Sequence, residues 1–217
     1  MLNINENILL NRVGDYSTYI RGKSYYSEGR VVEIRSNLEK DYFESIVRGS
    51  SNYQVSIRFH LGAQYKYYNA DISRTFPVNG KFTERQKQVY NVVLKALNAV
   101  EESAKPGVPY KELNEITKKT LAEGCKQLGL IKEDKEITKY YFHGVSHYLG
   151  LDAHDIGIYE TELKPGMVIT NEPGLYIEEE GIGIRIEDDL LITEDGCINL
   201  SKDIIKTVEE IEAYMSR

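Results

Sequence analysis

Residues 141–155 read YFHGVSHYLGLDAHD, and the way this stretch folds decides what kind of site the chain can carry. It holds His143, His147 and His154, three of the four histidines in the sequence. On a helix, His143 and His147 would share a face at i, i+4, as in HExxH zinc sites. Gly144, Val145 and Gly150 disfavour a helix, and the glutamate of that motif is missing. Strand and loop are therefore expected here. The plain alternative is a set of hydrogen-bonded structural histidines.

Carboxylates follow in places where charge is unusual. Glu172 stands in NEPGLY, between a strand-like run and a Pro-Gly turn, and Glu187 lies in GIGIRIEDD, where isoleucines alternate. A glutamate in such a strand needs something to offset its desolvation, either an ion pair with Arg185 two residues away or a metal. Asp71, in NADISRTFP, means nothing alone but joins the set once a metal is considered.

Around these residues the pattern resolves into elements. Val31, Val32, Ile34, Ile46 and Val47, then alternation at Tyr53, Val55, Ile57 and Phe59, suggest a small antiparallel meander. Thr83 and Gln86 form a capping box ahead of Val89, Val92, Val93, Ala96, Leu97 and Val100, so a long amphipathic helix should run to Lys105-Pro106-Gly107. A second helix is expected from Pro109, burying Leu113, Ile116, Leu121, Cys125 and Leu128 before Gly129. Short strands are expected at residues 167–170, 175–177, 182–186 and 190–193, and a last helix after the Thr207/Glu210 box. The two long helices should cover one face of a sheet.

Bulk properties narrow the function classes. The 217 residues are 41% hydrophobic and 28% charged, as in a water-soluble globular chain. A net charge of -7 argues against a nucleic-acid partner. No apolar run is long enough to span a membrane, and the N-terminal residues lack the features of a signal peptide, so a cytoplasmic location is expected. Cys125 and Cys197, with no histidine beside them, are read as reduced thiols.

Taken together, NADISRTFPVNGKFTERQ, YFHGVSHYLGLDAHD, LKPGMVITNEPGLY, GIGIRIEDDLLITEDG and KTVEEIEAYM resemble, in order, the motifs of the pita-bread metallopeptidases. The resemblance is closest to aminopeptidase P (Xaa-Pro aminopeptidase) of the M24 superfamily, from about Leu61 onward. It implies an α+β pita-bread fold and two divalent metal ions, Mn²⁺ by the oxygen-rich donor set. Asp71 and Glu187 would bridge the ions, His147 and Glu172 would ligate one of them, and Glu172 would act as general base. His143 and His154 would contact substrate beyond the ligand sphere, and Arg185 would orient carboxylates. The reaction implied is release of the N-terminal residue from a peptide substrate with proline second, by a water activated between the metals. Oligomeric state is left open.

Two departures from the pattern matter. The family's Asp-x-Gly triplet is His60-Leu61-Gly62 here, a neutral donor in place of a carboxylate, so weaker occupancy of the second metal position is expected. The family's N-terminal half is expected to be missing. In its place RGKSYYSEGRVVEIRS and VRGSSNYQVSIRF resemble the segment that precedes the zinc motif of SWIM-type proteins, without zinc ligands, which suggests domains at 1–59 and 60–217. The alternatives to an enzyme are a non-catalytic peptide- or protein-binding pita-bread module and an inactive chimeric fragment.

Overall fold

In this computed structural model, residues 31–37, 42–47 and 56–216 are described, those up to Leu61 by backbone alone. Two compact units divide between Tyr53 and Gln54. In the first, β1 (Val31–Asn37) and β2 (Tyr42–Val47) pair antiparallel, with an irregular register between Val31 and Glu33. The alternating positions Tyr53 and Val55 lie outside the described residues, as does the start of the SWIM-like stretch.

The second unit starts with β3 (Ser56–Leu61), which pairs antiparallel with β6 (Ile72–Pro77). The ladder runs from Ser56 opposite Pro77 to Leu61 opposite Ile72, so the expected junction at residue 60 falls inside a continuous pairing. Between them β4 (Gln64–Tyr65) and β5 (Tyr68–Asn69) make a short hairpin whose turn residues, Lys66 and Tyr67, both have positive φ.

Helix α1 (Glu84–Ser103) starts at Thr83 with the capping box in place and buries Val89, Tyr90, Val93, Ala96, Leu97 and Val100. Helix α2 (Tyr110–Gln127) buries Leu113, Leu121 and Cys125, while Ile116 and Leu128 are only partly covered. It ends before Gly129, whose φ of +72° is the left-handed turn that glycine adopts at low cost. A 3₁₀ turn at Asp134–Lys139 then leads to the histidine segment. This turn opens on a Glu133/Glu136 capping box, and its residues are mostly exposed and charged apart from the buried Ile137.

The expected strands are β7 (Val168–Asn171), β8 (Gly174–Ile177), β9 (Ile182–Arg185) and β10 (Asp188–Ile192). β11 (Cys197–Asn199) adds a third strand in the order β11-β10-β7, and β8 pairs with β9 as a hairpin. Helix α3 (Val208–Met215) again starts on its capping box. Side chains of α1, α2, β8, β9 and α3 form one core cluster, and a second lies beneath β7, β10 and the start of α2. Both cysteines are free, and burial pushes the Cys125 thiol up to about 11, so it stays protonated and inert.

The two long helices meet at a glycine. A Cβ on Gly124 would lie 2.3 Å from Val92 Cγ1, so the α1–α2 approach is set by the absence of that atom. Gly124→Ala is expected to cost about 1–3 kcal/mol through overpacking, against a helix-propensity gain of about 1 kcal/mol. The net loss should show as a lower denaturation midpoint, and adding Val92→Ala should restore most of it.

Candidate metal centre

The histidine segment lies extended beside β7 without being regular enough to count as a strand. Glu172 N–H donates to Val145 O at 2.7 Å, Thr170 N–H to His147 O at 2.9 Å and Leu149 N–H to Val168 O at 3.2 Å. That is an antiparallel register, and it sets His147 close to Glu172. The expectation of strand and loop over helix therefore holds. His147 N–H in turn donates to Thr170 Oγ1 at 3.0 Å.

Glu187 sits between β9 and β10 and is brought to Asp71 by β6. Its N–H donates to Ser73 O at 3.0 Å, and Ser73 Oγ donates to its Oε2 at 2.6 Å. Asp71 N–H donates to Asp189 Oδ2 at 3.1 Å. Two strands far apart in sequence thus place Asp71, Ser73, Glu187 and Asp189 together. Asp71, Glu172 and Glu187 are all buried, with Glu187 at 0% exposure.

The ring of His147 has the geometry of a ligand. Its Nδ1 is 3.0 Å from Tyr148 O; a carbonyl only accepts, so the proton sits on Nδ1 and Nε2 keeps its lone pair. That Nε2 faces Asp71 Oδ2 at 3.7 Å and Glu172 Oε1 at 3.6 Å. These separations are too long for hydrogen bonds and suit donors sharing one cation at about 2.0–2.2 Å. One donor atom each from His147, Glu172 and Glu187 falls within 4.8 Å of the others, and so does one each from Asp71, His147 and His154. The donor set, carboxylates with one or two imidazoles, fits a pair of divalent ions. His154, exposed and stacked on His147 at 3.8 Å between centroids, is within ligand reach, a place that the family resemblance does not give it.

A second group lines the opposite side of Glu172. Arg185 Nη1 pairs with Glu172 Oε2 at 3.0 Å, so its ion pair is with Glu172 and not with the nearer neighbour in sequence, Glu187. Arg185 Nε donates to Tyr176 Oη at 2.8 Å, and Tyr176 Oη lies 2.9 Å from His143 Nε2. The guanidinium can only donate, which leaves the phenol proton for His143 Nε2, and His143 then gives its Nδ1 proton to Gly144 O at 2.8 Å. Phe142 stacks tilted on Tyr176 at 5.0 Å and is largely exposed.

Against known proteins, residues 39–194 match the family model "Metallopeptidase family M24". The chain belongs to metallopeptidase family M24. The match begins upstream of Leu61, inside the stretch that resembles the SWIM-associated segment. The chain is 43% identical over 173 residues to the Xaa-Pro aminopeptidase of Escherichia coli (strain K12), covering 71% of this chain and 39% of that protein. With the Xaa-Pro aminopeptidase of Haemophilus influenzae it shares 40% over 207 residues, 80% of this chain and 48% of the relative. The chain thus spans less than half the length of these relatives. Its fold matches a Bacillus anthracis structure provisionally named an aminopeptidase P, with TM-score 0.71 and 64% identity over 73% of this chain and 39% of that one. A variant of Escherichia coli aminopeptidase P matches with TM-score 0.70 and 42% identity, over 73% and 40% of the two chains. The pita-bread fold of M24 is therefore that of this chain, which is similar to aminopeptidase P over the part it spans.

The field at the M24 centre is strongly negative. Burial pushes the Asp189 carboxyl up to about 7, and the nearby Glu187, Asp71 and Asp188 charges add to this, against the pull of the Asp71 N–H. Asp189 Oδ1 is buried with no hydrogen-bond partner among the described residues. On the other flank Arg185 is held above its ordinary value: burial alone would lower it, but Tyr176 and Glu172 more than offset that.

The sequence-derived residues Asp71, His147, Glu172 and Glu187 come together, with His143, His154 and Arg185 around them. His60 stands in β3 opposite Ser73, and its side chain lies outside the described residues. Sequence reasoning missed Ser73, two residues from Asp71 along the same strand, and Tyr176 within the NEPGLY motif. The alternation of strand faces and the motif itself were the available signals.

The relay through Tyr176 has a direct spectroscopic consequence. In the metal-free protein at pH 8, long-range ¹H–¹⁵N spectra should show His143 protonated on Nδ1, which Gly144 O holds, with Nε2 accepting from Tyr176. Tyr176→Phe should keep that tautomer and move the Nε2 resonance downfield, and an unchanged Nε2 shift would rule out the phenol as its donor.

Proposed function

We propose that this chain acts as a metal-dependent Xaa-Pro aminopeptidase, removing the N-terminal residue of peptides whose second residue is proline. The observation that carries the reading is the His147 Nε2 lone pair facing carboxylate oxygens of Asp71 and Glu172 at 3.7 and 3.6 Å, with Glu187 beside them. What supports the substrate class is the likeness to proteins named Xaa-Pro aminopeptidases.

In this reading Asp71, His147, Glu172 and Glu187 would hold two divalent ions, Mn²⁺ by preference, with Asp71 and Glu187 shared between them and His147 and Glu172 on one. A bound pair of such ions lowers the pKa of a water to near neutrality and polarises a carbonyl. Glu172 accepts the water's proton at the carboxylate and passes it to the departing proline nitrogen. Arg185, 3.0 Å from Glu172 Oε2, offsets that carboxylate's charge and fixes its plane. Its other oxygen, Oε1, faces His147. His143 and His154 flank the site and contact the substrate. Domains at 1–59 and 60–217 and a cytoplasmic location complete the proposal. No described helix is long and apolar enough to cross a membrane.

The proposal is tested by titrating metal-free protein with Mn²⁺ and assaying an Xaa-Pro peptide. Binding of about two equivalents and release of the N-terminal residue are expected, and neither occurring would sink the reading. Glu172→Gln should lower turnover by about 10²–10⁴-fold. His60→Asp should raise both Mn²⁺ stoichiometry and turnover, because it restores a charged donor at the position where the family has one. At 100 times Kd, the metal should stabilise the fold by about 2.7 kcal/mol, read as a rise in melting temperature.

A further inference from the structure

Arg74 lies behind the centre, 4% exposed, and every one of its five N–H groups has an acceptor. Nη1 donates to Ser73 O at 3.0 Å and to Glu187 O at 2.6 Å. Nη2 donates to Asp188 Oδ1 at 2.6 Å and Ile204 O at 3.3 Å, and Nε to Ile205 O at 2.9 Å. The carbonyls that share Nη1 belong to the two backbone segments from which the Asp71 and Glu187 carboxylates project. The same pair of segments is joined by Glu187 N–H to Ser73 O at 3.0 Å.

We propose that Arg74 is a positioning residue whose planar guanidinium fixes the separation of the Asp71 and Glu187 carboxylates. It touches neither substrate nor metal. Through one nitrogen it holds the two carbonyls in a fixed relation, and through the other two it anchors that junction to Asp188 and to the chain at residues 204–205. An ammonium cannot reproduce this, because its donors are not held in a plane that reaches both carbonyls. The consequence for metal binding rests on the proposed reading of Asp71 and Glu187 as bridging ligands; the consequence for the backbone does not.

Arg74→Lys is the appropriate variant. Asp188, whose charge Arg74 offsets, keeps Lys206 Nζ at 2.5 Å and Asn199 Nδ2 at 2.8 Å, so the fold has a second partner for it. Leu121→Ala, a cavity in the fully buried core of α2, serves as a control that destabilises without touching the junction. Amide hydrogen exchange on the metal-free proteins should show the Glu187 and Asp71 amides exchanging at least tenfold faster in Arg74→Lys, and unchanged relative to global unfolding in Leu121→Ala. Mn²⁺ titration of the folded proteins should show at least a tenfold weaker Kd in Arg74→Lys alone. Wild-type rates at Glu187 and Asp71 in the lysine variant would overturn the clamp. If wild-type protein binds no Mn²⁺, the metal reading fails, while the exchange data still decide on Arg74. Should Arg74→Lys not fold, the wild type suffices: the clamp requires these two amides to exchange only through global unfolding, and exchange by local opening would overturn it.

Discussion

The carboxylates of Asp71, Glu172, Glu187, Asp188 and Asp189 are buried side by side, none more than 8% exposed, and the rest of the catalytic unit is arranged around that concentration of charge. Removing a carboxylate from water costs several kcal/mol unless a partner offsets it. Among the described residues Asp188 is matched by Arg74 and Lys206, and Glu172 by Arg185. Asp71 and Glu187 have donor atoms close to His147, while burial first, and then the neighbouring carboxylates, raise the pKa of Asp189. A fold that accepts this arrangement gains nothing in stability from it. A metal ion turns the same charges into ligands.

The division of labour between strands follows from this. β6 and the β9–β10 junction are bound to each other by backbone and side-chain hydrogen bonds through Ser73, Arg74 and Asp189, so the Asp71–Glu187 half of the centre is rigid from behind. The His147–Glu172 half depends on the register between the extended segment at 145–149 and β7. β7 is itself tied to α1 by Asn171 Nδ2 donating to Leu97 O at 2.9 Å. The long helices thus do more than cover a face: they fix the strand that presents the glutamate.

The legibility of the sequence varied with the range of the interaction that decides each element. Both capping boxes, at Thr83 and Thr207, and the apolar spacing of α1 are local, and they read correctly to within a residue. The strands at β7 to β10 could be read because isoleucine alternation and Pro-Gly turns are local too. β11 and the pairing of β3 with β6 were not readable, since each depends on a partner strand and not on its own pattern. At the centre, residue types that are odd in their strands were visible, as were the motifs that contain them. The Arg185–Glu172 pairing was not: i, i+2 spacing points to Glu187, and the β8–β9 register, with Gly174 opposite Arg185, brings Glu172 to the guanidinium.

His60 is where charge and architecture meet. In the M24 pattern this position carries a carboxylate, so the ligand set would supply four negative charges to two dications, and with histidine here Asp71, Glu172 and Glu187 supply three. On the proposed ligand assignment a neutral imidazole would leave one positive charge uncompensated with both ions bound, and the cost would fall on the ion not held by His147 and Glu172. Asp189 bears on that balance. Its carboxylate contacts the Asp71 amide, lies close enough to Asp71 and Glu187 for their charges to raise its pKa, and has one buried oxygen without a partner. On the proposed assignment the Asp189 carboxylate, which accepts from the Asp71 amide, would supply part of the charge lost at position 60 without becoming a ligand, so histidine there would weaken the second metal position more than abolish it.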